Sequence, residues 1–347
     1  MMSDNFQDRL LFLLSMPRSG STLFSLMLGG NPEVCCPPEP WIILLLAEYM
    51  NLGDVKNAPY GRNWAELAAV EFMLSGERKQ KGAINKAFSN MGEACGMEAV
   101  PAARRILEMA YQMQLDVSGK SVFIDKTPRY YVLLELLDQL FPNSRRIILL
   151  RNPLDIYASY KSSWGNIKGI FTPEGVTVGT RDFCEGVFKL ADYAAQDRDD
   201  MFVLRYEDLI REPEITLRSA CEFADIEFSQ SMLTYYENKA LLEEYRRSPV
   251  GDLVHTRKPS ISRNTSNAWE ARLEKTEIQS LIDVLGAEIF ERLGYGDTVT
   301  RLKEISIEIP TEEKAAEKRS MLMKSLVDRV QEKPYSSWDG YLAQLRN

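Results

Sequence analysis

Residues Leu10–Gly30 read LLFLLSMPRSGSTLFSLMLGG: an apolar run, a tight Pro-Arg-Ser-Gly-Ser-Thr turn, then a segment with helical spacing. The run Leu10–Met16 is too short to span a bilayer and has the length of a buried strand. The turn places the backbone N–H groups of Ser19 to Thr22 at a helix N-terminus, where the first donors lack intrahelical partners and the helix dipole is positive. Such a terminus receives phosphate or sulfate. Gly20 lets an anion approach the backbone closely, and Arg18 adds a fork of fixed positive charge. The same letters also describe an ordinary strand-to-helix turn with a surface arginine, so the rest of the chain has to decide.

Two common nucleotide signatures are missing. A Walker loop needs a first glycine and a lysine after the second, and neither is present around Gly20. The G-x-G-x-x-G dinucleotide fingerprint is absent too. The loop must therefore hold some other phosphate or sulfate group.

Outward from the loop, Asn31-Pro32 ends the first helix and Val34–Cys36 reads as a short strand. Pro37-Pro38-Glu39-Pro40 then fixes an extended backbone, which presents Glu39 as a solvent-facing carboxylate or simply as a loop residue. From Trp41 to about Ser118 the periodicity is helical, an insertion over 41–118 with apolar positions such as Trp64, Leu67, Phe72, Ile106, Met109 and Met113. The charged patch Glu77–Lys81 reads as a solvated loop or as a lid.

Ser121–Ile124 is a buried strand that delivers Asp125-Lys126-Thr127-Pro128 at its C-terminal end, where ligands bind in open α/β sheets. Thr127-Pro128 suits the start of a helix Tyr130–Phe141, so Lys126 stands at a corner, as a ligand contact or as surface charge. Arg146–Leu150 is the clearest strand. It leads into Arg151-Asn152-Pro153 and a helix Leu154–Trp164 in which Ser159, eight residues after Arg151, returns to a similar face. A helix over Asp182–Arg198, a strand Met201–Leu204 and a helix opening with Tyr206-Glu207-Asp208 complete an α/β alternation. The pattern gives a P-loop-like central parallel sheet flanked by helices. The polar, basic stretch His255–Ala268 either folds over an anion or lies on the surface, and Thr276–Leu293 is helical. The expected division is a domain over 1–295 and a C-terminal extension over 296–347. The extension carries a β-like run Ile305–Ile309 and a charged helix near Thr311–Glu332, and reads as an appendage or a dimer arm.

Composition narrows the partners. Among 347 residues, 42 are basic and 50 acidic, a net charge of −8, so nucleic acid is disfavoured and any anion must be held locally. The five cysteines (Cys35, Cys36, Cys95, Cys184, Cys221) form no CxxC and suit reduced thiols better than disulfides or zinc. The single histidine, His255, argues against metal catalysis. Asp4 and Asp8 precede the first apolar run, unlike the basic start of a signal peptide. The reading is a cytoplasmic protein that uses no metal and no membrane.

Taken together, PRSGST, DKTP and RNPLDIYAS, each after a strand, resemble the sulfotransferases that use 3′-phosphoadenosine 5′-phosphosulfate (PAPS). The likeness covers roughly residues 9 to 295, and the spacing is most similar to the tyrosylprotein sulfotransferases and their bacterial relatives. It implies metal-free transfer from PAPS with PAP as product. By the resemblance, Arg18, Ser19, Gly20, Ser21 and Thr22 hold the 5′-phosphosulfate, and Arg151 and Ser159 grip the 3′-phosphate. Lys126 contacts the transferring sulfuryl group, Tyr206 lies near the nucleotide, and Arg263 and Ser266 belong to a late covering segment. Glu39 falls where the tyrosylprotein enzymes place a general base. The histidine that serves the steroid and phenol enzymes is absent, with Pro128 after Lys126-Thr127, and His255 stands in reserve. Trp41 replaces an arginine that the tyrosylprotein enzymes carry near the acceptor, and their cysteine pairs are not matched. The expected acceptor is a hydroxyl of a small molecule. Protein tyrosine is the alternative, and an ATP-dependent phosphotransferase is a more distant one that would need a Walker lysine. A homodimer is compatible with this reading.

Overall fold

A computed structural model describes residues 6–50, 52, 98–165, 167, 169–248 and 265–332. Five strands form one sheet: β1 (Leu10–Ser15), β2 (Val34–Cys35), β3 (Val122–Lys126), β4 (Arg145–Leu150) and β5 (Met201–Arg205). Their order is β2-β3-β1-β4-β5 and every pairing is parallel, with Leu13 opposite Lys126 and Ser15 opposite Leu149. Central parallel strands are covered on both faces, which is why β1 is apolar almost throughout. Leu10, Phe12 and Leu14 enter one core and Leu11 and Leu13 the other, the alternation that a strand imposes.

Arg146 is the exception inside β4, fully buried yet charged. Its guanidinium is paired with Asp138 at 2.8 Å and Asp200 at 2.9 Å, and Nε donates to the Tyr193 hydroxyl at 3.2 Å. A buried arginine is tolerated when it is this fully satisfied.

The order of strands locates the site. From β1 the chain leaves toward β2 on one side, and from β4 it leaves toward β5 on the other. The C-terminal ends of β1 and β4 therefore flank a switch point, where a crevice opens in sheets of this kind. PRSGST follows β1 and Arg151 follows β4.

Helix boundaries depart from the sequence expectation where packing intervenes. The helix expected over Tyr130–Phe141 begins as a 3-10 segment, Pro128–Leu133, and becomes α-helical at Leu134–Leu140. The helix expected over Asp182–Arg198 contains a π turn, Asp182–Gly186. That turn aims Asp182 inward, where it accepts two bonds from Arg129 and one each from the Tyr131 and Tyr160 hydroxyls. Pro213 divides 206–224 into Tyr206–Arg211 and Pro213–Ala224, and Gly286 divides Lys275–Leu285 from Glu288–Arg292. Ile305–Ile309 is not a strand: Ser306 takes a left-handed turn and Ile307 drops into the core. The helix Glu312–Glu332 packs on its own chain. Ala315, Leu322 and Leu326 are buried, and Arg329 donates to the carbonyls of Glu174 and Val176. Of the expected insertion, Ile42–Tyr49 and Ala99–Ser118 are helical, while Glu77–Lys81 lies outside the described residues. No described helix is long and apolar enough to cross a membrane.

Candidate active site

The turn after β1 is built from two departures from ordinary backbone on either side of Ser19, Arg18 at φ 66° and Gly20 at φ 90°. They swing the chain directly into the helix Ser21–Gly29, whose first turn carries no acid to compete for an anion. Ser19, Ser21 and Thr22 are buried, and the Ser19 hydroxyl has no hydrogen-bond partner among the described residues.

Arg151 closes over this turn from β4. One Nη donates to the Arg18 carbonyl at 2.8 Å and the other to the Thr265 carbonyl at 2.9 Å, while Nε is buried without a partner among the described residues. The guanidinium stacks 4.3 Å from the centre of the Tyr206 ring, and the Tyr206 hydroxyl meets Thr265 Oγ1 at 2.9 Å. Arg18 Nε donates to Ser159 Oγ at 3.2 Å, so the residues expected at the two anionic ends of one nucleotide touch each other directly. The segment bearing Thr265 is held by Asp155, whose carboxylate accepts from the backbone N–H of Asn267 at 2.8 Å and of Trp269 at 3.0 Å. Burial raises the Asp155 carboxyl, against the pull of Arg151 and of those two donors.

The end of β3 carries the second part. Lys126 is fully buried, which removes the reading of it as surface charge. Its Nζ lies 2.9 Å from Glu39 Oε1 and 3.5 Å from Thr22 Oγ1, beside the N-terminus of the loop helix. Glu39 is correspondingly not solvent-facing, as its Pro-flanked loop suggested, but 8% exposed. The sequence could not reveal this because the counter-ion lies 87 positions away. Trp41 Nε1 donates to the other carboxylate oxygen at 3.1 Å.

Beneath this pair, Asp125 accepts from Tyr111 at 2.7 Å, Tyr130 at 3.0 Å and Thr127 at 3.0 Å. Burial pushes its carboxyl up from 3.8 to about 6, against these hydroxyls and Lys126, which pull it down. The folded protein therefore retains a proton that the unfolded chain releases at lower pH. The associated stability is complete below about pH 4 and is lost as pH rises through about 6, on the order of 3 kcal/mol. Asp125→Asn should flatten the stability curve across that window in urea unfolding, and an unchanged slope would remove Asp125 as its source.

The structure thus brings Arg18, Ser159, Arg151 and Tyr206 into one cluster and Thr22, Lys126 and Glu39 into another, both on the PRSGST turn. Ser266 lies one residue from the contacts, which belong to Thr265. His255 and Arg263 lie outside the described residues. Thr265 and Asp155 were not singled out as site residues by the sequence, although Asp155 lies in the RNPLDIYAS motif, and Trp41 drew notice only as the replacement of an acceptor-side arginine.

Residues 11–230 match the model of the Sulfotransferase family. The chain is 29% identical over 315 residues to the nodulation protein NoeE of Sinorhizobium fredii (strain NBRC 101917 / NGR234), covering 85% of this chain and 68% of that protein. The sulfotransferase domain of the Synechococcus PCC 7002 olefin synthase superposes with a TM-score of 0.50 at 18% identity, over 87% of this chain and 95% of that domain. The sulfotransferase domain from the curacin biosynthetic pathway gives a TM-score of 0.48 at 20% identity, over 86% and 98%. With the matched region spanning all five strands, save Leu10 at the start of β1, and both motif-bearing turns of the switch point, the chain belongs to the sulfotransferase family.

Proposed function

We propose that this protein transfers the sulfuryl group of PAPS to a hydroxyl of a small-molecule acceptor, releasing PAP and a sulfate ester. The observation that carries the reading is the buried Lys126–Glu39 pair, 2.9 Å apart beside Thr22, which sets one cation and one base at the mouth of an anion-binding helix terminus.

The donor set fits a nucleotide with two anionic ends. Arg18, Ser19, Gly20, Ser21 and Thr22 would hold the 5′-phosphosulfate, and Arg151 and Ser159 the 3′-phosphate, with Tyr206 alongside. Ser19 Oγ and Arg151 Nε are buried polar atoms with no partner among the described residues, as groups facing a ligand would be. When bound, the nucleotide supplies an activated sulfuryl group. Glu39 would accept the proton of the attacking hydroxyl, and Lys126, Arg18 and the loop N–H groups would offset the negative charge on the leaving oxygen. To serve as the base, Glu39 must be released by Lys126, and nucleotide oxygens are suited to draw that ammonium away.

The apolar helix that follows Trp41, whose indole bonds Glu39, favours a small apolar alcohol or phenol as acceptor. Trp41 is followed by Ile42, Leu45 and Leu46, half-buried on the helix Ile42–Tyr49.

Thermal unfolding with PAP, ATP with Mg²⁺, and GTP tests the nucleotide. Selective stabilisation by PAP is expected, and a preference for ATP would overturn the reading. Arg151→Ala should weaken PAP binding by roughly 10–100-fold, the worth of charge-assisted bonds, and unchanged affinity by calorimetry would take Arg151 out of the site. Incubation with PAPS and a panel of alcohols, phenols and a tyrosine peptide, read by mass spectrometry, identifies the acceptor class.

A further inference from the structure

We infer that Trp41 is a positioning residue that holds the Glu39 carboxylate for proton transfer, through its indole N–H and through the unusual backbone at Trp41 itself. This rests on the reading of Glu39 as the base.

The two oxygens of Glu39 are held by different partners, Oε1 by Lys126 at 2.9 Å and Oε2 by Trp41 Nε1 at 3.1 Å. These partners differ in what a bound nucleotide does to them. An ammonium is drawn to any anion placed beside it, whereas an indole N–H bonded to a carboxylate carries no net charge for the nucleotide to attract. Once Lys126 turns to the nucleotide, the indole is the contact that keeps the carboxylate in a single orientation.

The indole is itself built in. Trp41 takes φ 56° and ψ 1°, a left-handed conformation that a bulky residue seldom adopts and that persists only where the surroundings enforce it. The side chain is 3% exposed, and its backbone N–H points to Thr127 Oγ1 at 3.4 Å. Thr127 in turn donates to Asp125, which Tyr111 and Tyr130 hold. The end of β3 thereby places both members of the pair, Lys126 directly and Glu39 by way of Thr127 and Trp41. Pro40 stiffens the intervening backbone, so the position of the indole is transmitted to the carboxylate with little slack.

Trp41→Phe keeps an aromatic ring and removes the N–H. Steady-state turnover with PAPS should fall roughly 10–100-fold, the range for a hydrogen bond to a charged group, with acceptor KM changed by no more than about twofold. PAP stabilisation should persist. In a Glu39→Gln background the same change should have no further effect on kcat, because the donor acts through the carboxylate. If the smaller ring impairs folding, replacement of the indole by an isosteric benzothiophene, which has no N–H, serves instead. Wild-type kcat in a folded Trp41 variant, or an equal slowing in the Glu39→Gln background, would overturn the inference while leaving Glu39 as the base. Wild-type turnover by Glu39→Gln alone would overturn the base assignment, and this inference with it.

Discussion

Glu39→Gln should lower kcat by about 10²–10⁴-fold, the contribution of a positioned general base, while the variant still binds PAP. Glutamine keeps the shape of the side chain and can still accept from the Trp41 indole. It does leave the fully buried Lys126 ammonium without its counter-ion. Breaking a buried pair by removing one partner costs about 3–5 kcal/mol, so the ligand-free variant should melt at a lower temperature than the parent. The increase in melting temperature on adding PAP should then exceed that of the parent, because nucleotide oxygens relieve the stranded ammonium. Kinetics with PAPS and thermal melts with and without PAP measure both effects. Turnover at the parental rate would move the base to His255.

Gly20→Ala should disable the anion turn. The position has φ 90°, and an added methyl would lie 2.2 Å from the Tyr206 ring. The left-handed backbone costs roughly 1–2 kcal/mol in a residue with a Cβ, and the overpacking adds about 1–3 kcal/mol. Relief requires the Tyr206 ring to move, and that ring carries the Arg151 guanidinium at 4.3 Å and bonds Thr265. The expected outcome is a melting temperature several degrees lower, at about 4–8 °C per kcal/mol in small domains and less in larger ones, together with at least a tenfold loss of PAP affinity, about 1.4 kcal/mol. A variant that folds and binds PAP like the parent would show that Tyr206 moves freely and has no part in the grip.

The parts of this molecule that the sequence reveals are those decided by local periodicity. β1 and β4 are legible because strands buried on both faces must be nearly all apolar. PRSGST and RNPLDIYAS are legible because each follows such a strand at its C-terminal end, and DKTP because it closes an apolar run, although Asp125 and Lys126 prove to be the last residues of β3 itself. The environment of Glu39 is not legible, since prolines either side of a carboxylate look the same whether the loop faces water or a lysine from another strand. Thr265 was missed by one residue because the register of that segment is fixed by Asp155, which is 112 positions from Asn267. The π turn at Asp182 leaves the helical pattern nearly intact, and only its partners Arg129, Tyr131 and Tyr160, all distant in sequence, require it.

Thr265 reaches Arg151 across 114 positions and Tyr206 across 59. During synthesis the sheet and all three motif turns can therefore assemble before the residues that close over Arg151 and Tyr206 exist. A nascent chain that has just completed residue 230, the end of the family match, already contains every strand of the sheet. It lacks Thr265, and it also lacks the backbone N–H groups that Asp155 holds at Asn267 and Trp269. The proposed grip on an anion would thus be acquired late in translation, after the scaffold that bears it.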